Sequence, residues 1–199
     1  MTRLLIATAL AAVSLSGVQP QTAMVSWTAT PYETVLQQSA KPRAASTMVS
    51  WDAARNEFQS YQILLRGTSK FTIQSVTFTD LTGAGTIGSG DLTYRLQQYY
   101  DPTGSGTAVP DPLSNDPWVT VPGNTTQGIF VTVYVPKNQA AGAYNGSVTV
   151  NTISGNTTFP IALTVYDVTV PDAIDSTYTS GTWSAFFRRL QRCRRLGDW

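Results

Sequence analysis

Three stretches between residues 128 and 167 alternate so strictly that one kind of local structure accommodates them. In "GIFVTVYVP", Ile129, Val131, Val133 and Val135 fall on one side, with Phe130, Thr132 and Tyr134 on the other. In "AYNGSVTVNT", Tyr144, Val148 and Val150 oppose Asn145, Ser147, Thr149 and Asn151, and "TFPIALTVYD" adds a row of Phe159, Ile161, Leu163 and Val165. Side chains alternate across a strand with period two, so each stretch is predicted as a strand with one apolar face. "LTYRLQQYY" sets Leu92, Tyr94 and Leu96 against Thr93, Arg95 and Gln97, while "FQSYQILLRG" and "FTIQSVTFTDL" are less regular but rich in strand-forming residues. Turn chemistry separates them in "TGAGTIGSGD", "DPTGSGTAVPDP", "VPGNTT", "PKNQAAG" and "ISGN". No stretch before residue 182 carries a 3.6-residue period. Strands apolar on one side need a second sheet to cover them, so the expected fold is all-β: an antiparallel β-sandwich, immunoglobulin-like or jelly-roll-like, with a closed barrel as the alternative.

Composition fits one such domain. The apolar share is 42% and the charged share 13%, which excludes wholesale disorder in a chain of 199 residues. The net charge of +1 conceals an uneven distribution, because Arg188, Arg189, Arg192, Arg194 and Arg195 crowd the end of the chain. Without these and Asp198, 8 cations face 11 anions, so the body has no nucleic-acid footprint. The opening "MTRLLIATALAAVSLSG" has one basic residue, an apolar run and then small residues. It is predicted to be an export signal, residues 1–23, cleaved between about 16 and 23. The run falls short of the ~20 residues that span a bilayer, so no stable membrane anchor is expected after cleavage. The expected location is secreted or cell-envelope, including periplasmic. The single cysteine, Cys193, has no internal partner, so residues 24–171 must rely on their core.

Met-Val-Ser-Trp occurs twice, at residues 24–27 and 48–51. The flanks differ and no third copy exists, whereas repeat folds generally need at least about three units. The two copies are expected to be edge or early strands with a similar inward pattern.

Candidate chemistry is sparse. With no histidine, Ser-His-Asp and Cys-His nucleophile systems and the commonest zinc sets are excluded. "GAGTIGSGD" lacks the Lys-Ser/Thr of a phosphate loop and reads as a turn. Glycoside hydrolysis needs two carboxyl groups ~5–9.5 Å apart. Of the candidates, Asp101, Asp111 and Asp116 each precede a proline, where the side chain caps a turn, and Glu57 sits beside Arg55. Catalytic residues, metal ligands and cofactors are therefore all expected to be none, although a calcium ion at "DPTGSGTAVPDP" is conceivable. Binding is the better prospect. Exposed aromatic rings stack on the C–H faces of sugars, and Trp118, Tyr99, Tyr100 and Tyr134, with Trp51 also available, are candidates for a sugar-binding or interdomain surface. Asn124, Asn145 and Asn156 head Asn-X-Ser/Thr triplets and are expected at the surface.

"DAARNEFQSYQILLRG", "TYRLQQYYDPT", "GIFVTVYVPKNQAAGAYNGSVTV" and "IALTVYDVTVPD", in this order, resemble the N-terminal β-sandwich domain of secreted glycosidase-like proteins around glycoside hydrolase family 123. The resemblance implies a non-catalytic module that packs against a (β/α)-barrel in which the acid–base chemistry resides. About 28 residues follow Pro171, too few for a barrel of ~250. "STYTSGTW" resembles the start of the linker, whereas "SAFFRRLQRCRRLGDW" changes composition abruptly and reads as an out-of-frame tail, or alternatively as a basic amphipathic helix for anionic membranes. The expected partners are this barrel and glycans, with no nucleic acid. The alternative function is a stand-alone carbohydrate-binding module; an autonomous hydrolase would require two acids converging in one cleft.

Overall fold

The alternating stretches become strands whose apolar sides face one another across two sheets. The computed structural model describes residues 23–172, 174 and 175. The expected export signal up to residue 22 and the arginine-rich tail lie outside the described residues. In chain order the strands are β1 (Met24–Ala29), β2 (Val49–Arg55), β3 (Glu57–Gly67), β4 (Phe71–Phe78), β5 (Leu81–Gly83), β6 (Thr86–Ile87), β7 (Leu92–Tyr100), β8 (Val109–Ser114), β9 (Val119–Val121), β10 (Thr126–Val135), β11 (Gly142–Thr152) and β12 (Gly155–Thr169). Among the described residues one 3-10 turn, Ser89–Asp91, interrupts them. One sheet runs β1-β3-β10-β7-β8; the other runs β2-β12-β11-β4-β9, with the β5–β6 hairpin attached through β11. Both sheets have open ends, so the barrel alternative does not apply and the all-β sandwich stands.

Ile129, Val131, Val133 and Val135 project from the first sheet onto Phe159, Ile161, Leu163 and Val165 of the second, all at or near zero exposure. Burying each such side chain contributes roughly 1.5–3 kcal/mol before conformational entropy is counted. The outer face of the second sheet is polar. Thr149 and Thr158 share a hydrogen bond there, as do Thr72 and Thr120, and Asn151 donates to Ser75. Asn124, Asn145 and Asn156 are exposed, as expected.

Four local features depart from expectation. The sheets are not wholly antiparallel, because β2 pairs in parallel with β12. It reaches the second sheet through the long 30–48 crossover, which delivers it in that direction. "AVPDP" reads as a loop, yet Val109–Ser114 forms β8, where both prolines are tolerated because β8 is an edge strand. "TGAGTIGSGD" holds the short β5–β6 hairpin. Finally, Gln97 is buried rather than solvated, since the 30–48 segment and its own hydrogen bonds enclose the outer face of the first sheet.

The repeated tetrapeptide resolves into two different environments. Both copies are edge strands, one per sheet. Trp51 and Val49 enter the main core. Trp27 instead pairs in register with Leu64 and turns to the other face of its sheet, forming a small second core with Ala29, Val35 and Leu64 beneath the 30–48 segment, while Val25 remains exposed. The inward patterns are therefore not alike.

Candidate functional site

Function is most readily sought where the polypeptide departs from a plain sandwich. With one outer face a threonine ladder, that leaves the outer face of the first sheet and the corner where β12 ends.

The corner begins at Asn56, the single residue between β2 of one sheet and β3 of the other. Its φ of 59° lies in the left-handed region, which asparagine tolerates better than most residues. The Asn56 amide N–H donates to Val135 O (2.8 Å), and its side-chain nitrogen donates to Val170 O (2.9 Å) and to Asp172 Oδ1 (2.8 Å). The Tyr134 hydroxyl donates to Asn56 Oδ1 (2.8 Å). Lys137 Nζ closes on Asp172 Oδ2 at 2.7 Å, and Arg55 pairs with Asp167 at 2.6 Å while donating to Gln139 O. The hydrogen bond and charge of Lys137, with the Asn56 amide, hold the Asp172 carboxyl below its ordinary range; the same pairing raises Lys137. These contacts fix the direction in which the chain leaves the sandwich. Beside them Phe58 is 69% exposed and stacks on Tyr134 with ring centroids 4.7 Å apart, and Val168, Val170 and Ile174 are exposed at the same end.

The four candidate aromatics do not form one platform. Tyr134 lies at this corner. Tyr99 and Tyr100 stand at the far end of β7, opposite Pro110 and Val109, on the order of 26 Å along the strands at ~3.3 Å per residue. Trp118 and Tyr100 are exposed (59% each), with Trp118 in the connection from β8 to β9. Trp51 is a core residue. Tyr99 is largely enclosed and its oxygen accepts the Gly128 N–H (3.1 Å). Burial pushes its phenol up to about 12, with the Gly128 donor acting the other way. Because the folded state holds this proton more tightly than the unfolded chain, the associated stability is complete below pH ~10 and disappears between about 10 and 12. A loss of about 2–3 kcal/mol over that window is expected. Urea unfolding midpoints measured from pH 9 to 12 check it, and Tyr99→Phe should flatten the decline, leaving what is due to the other raised groups: Tyr61, through burial and the Glu33 charge, Tyr166, through its hydrogen bond to Asp52, and Lys137.

The four acids singled out from the sequence do not converge in one cleft. Asp101 takes the backbone N–H groups of Thr103, Ser105 and Gly106. Its own desolvation opposes the charge, but these donors outweigh it and lower the carboxyl. Its oxygens thereby tie the loop to the end of β7. Glu57 accepts from Ala54 N–H and the Gln59 amide, and Asp116 accepts from Ser114 Oγ. Arg55, expected beside a carboxylate, pairs with Asp167. Asp111 alone faces a cleft, together with Glu33, a residue that local sequence did not single out because nothing near it in the chain announces that cleft.

Residues 27–152 match the family model described as the glycoside hydrolase 123 N-terminal domain. The chain belongs to that family. The match ends with β11, so β12 and the exit corner continue beyond the matched residues of this glycoside hydrolase 123 N-terminal domain. No curated protein matches the sequence. Among solved structures, a family 123 glycoside hydrolase from Clostridium perfringens, studied for hydrolysis of glycolipid glycans, is similar at TM-score 0.65 and 16% identity, over 75% of this chain and 28% of that one. The shared feature is the fold, and the chain spans little more than a quarter of that enzyme. Weaker likenesses include the N-terminal domain of PorA (TM-score 0.34, 11% identity, 72% of this chain and 99% of that one) and a β-glucosidase mutant from Listeria innocua (0.31, 13%, 75% and 17%).

Proposed function

We propose that this domain is a non-catalytic module of an exported glycosidase-like protein, and that it holds a catalytic barrel at its exit corner so that the two act together on glycans. The observation that carries this reading is the corner itself. Asn56, Tyr134 and the Lys137–Asp172 pair aim the outgoing chain, and Phe58, Val168 and Val170 offer apolar surface around it. The ion pair is solvent-exposed, so its value lies in position more than in energy. Apolar side chains grouped where a chain leaves its domain are what a following domain would cover. Membership of the glycoside hydrolase 123 N-terminal family supports the glycosidase context.

The test uses the full chain. Against a panel of chromogenic glycosides no aglycone release is expected. An apolar-surface dye such as anilinonaphthalene sulfonate should bind, and the double substitution Phe58→Ser/Val168→Ser should remove most of its fluorescence. Turnover by this chain would sink the non-catalytic part, and a dye-silent chain would sink the docking part.

A further inference from the structure

A cleft of about 240 Å³ opens on the outer face of the first sheet, between the segment that follows β1 and edge strand β8. Its side chains come from five separate places in the chain: Tyr32 and Glu33 after β1, Gln62 from β3, Gln97 from β7, Asp111 from β8 and Phe130 from β10. The lining combines the Tyr32 and Phe130 rings with Leu113 and two prolines, and its polar side chains include the carboxylates of Glu33 and Asp111. Phe130 is half-buried on the central strand, and Tyr32 is 92% exposed.

The amides are locked in place. Gln62 Nε2 donates to Thr30 O (2.6 Å) and Glu33 O (2.8 Å), and Gln62 Oε1 accepts from Gln97 Nε2 (2.8 Å). Both donors of the Gln62 amide are thus committed, and Gln97 is almost wholly enclosed. Accepting capacity remains. Glu33 Oε1 takes the Thr30 N–H and hydroxyl, which leaves its second oxygen, and the Asp111 carboxylate has no hydrogen bond or ion pair among the described residues. No Lys or Arg lines the cleft.

A ligand for such a place must bring donors, carry no negative charge and present an apolar face to the rings. A pyranose meets all three conditions, with hydroxyl donors at its rim and a C–H face for stacking. Hydroxyls donated to carboxylates form charge-assisted bonds, the stronger kind. The volume lies just below the ~300–1,000 Å³ of ordinary ligand pockets, which suits one ring rather than an extended chain.

We propose that this cleft binds a single uncharged pyranose, stacked by Tyr32 and Phe130 and oriented by Glu33 and Asp111. Acidic sugars are excluded by the two carboxylates. The site is complete within this domain, so it stands or falls independently of docking at the exit corner.

The experiment is titration of the ¹⁵N-labelled full chain, followed by NMR, with methyl β-glucoside, methyl β-galactoside, methyl β-N-acetylglucosaminide, glucuronate and methylammonium, each to about 50 mM, since one ring gives millimolar affinity. At least one uncharged glycoside should shift the side-chain amide signals of Gln62 and Gln97 saturably, while glucuronate and methylammonium do not. Tyr32→Ala and Asp111→Ala, both at exposed positions, should each weaken binding at least about fivefold, the loss of one stacking or charge-assisted contact, without lowering the melting temperature. The proposal is overturned if no glycoside shifts these amides, if glucuronate or methylammonium shifts them equally, or if both variants keep the wild-type affinity.

Discussion

Replacing Trp27 by alanine should lower the unfolding free energy by about 3–5 kcal/mol, the range for removing a buried tryptophan. The loss should also begin in one place. Trp27 is 2% exposed and fills the small core with Ala29, Val35 and Leu64, with Ala45 packed against it. That core fastens the 30–48 segment, which otherwise holds by hydrogen bonds such as Thr28 N–H to Ser46 O and Thr126 N–H to Gln37 O. Hydrogen exchange in Trp27→Ala should expose the Thr28 and Thr126 amides, which donate to the 30–48 segment, well before those of Ile129–Val135 and β11. Trp51→Ala should cost a similar amount, yet loosen the whole sandwich at once, because Trp51 lies in the main core. Uniform loss of protection in both variants would show that the second core is not a separate unit. The 30–34 wall of the cleft belongs to the same segment, so Trp27→Ala should also blunt any glycoside response.

The second large effect is expected at Gly128, in the middle of the sheet. A Cβ built there would fall 1.5 Å from Gln97 Oε1 and 2.5 Å from its Cδ. The backbone at Gly128 is not in the left-handed region, so the requirement is for space rather than conformational freedom. Gly128→Ala must displace a buried amide and break its bond to Gln62. Overpacking at about 1–3 kcal/mol and a lost buried hydrogen bond of similar size predict a total of about 2–4 kcal/mol. Adding Gln97→Ala should recover part of that loss, because it removes the colliding atoms, and a double-mutant cycle from urea unfolding measures the coupling. A single variant within about 0.5 kcal/mol of wild type would mean that Gln97 moves aside freely.

How much was legible in advance varied with the range of the interactions involved. The rows Ile129–Val135 and Phe159–Val165 could be read directly, because strand periodicity is local and each row needs only an opposing apolar surface. Gln97 could not. Its neighbours Leu96 and Arg95 alternate as in any half-exposed strand, and only the crossover and Gln62, 35 residues away, bury it. Tyr134 was recognised as standing opposite the valine row, but its bond to Asn56, 78 residues distant, is a product of the corner. Glu33 and Asp111 share a cleft across nearly 80 residues of intervening chain. The prolines of β8 argued for a loop, and pairing along a single side of that strand overrode them.

The sequence by itself determined that this protein is a two-layer β structure, because alternation and turn chemistry act within a few residues; the family resemblance came instead from particular motifs such as "VYVPKNQAAGAYNGSVTV". Tertiary structure alone decided that the two Met-Val-Ser-Trp copies serve different cores, that one strand pairs in parallel, and that six side chains from five places meet in a cleft. Those outcomes depend on how long crossovers and sheet registers bring distant residues together, and no local pattern encodes that distance.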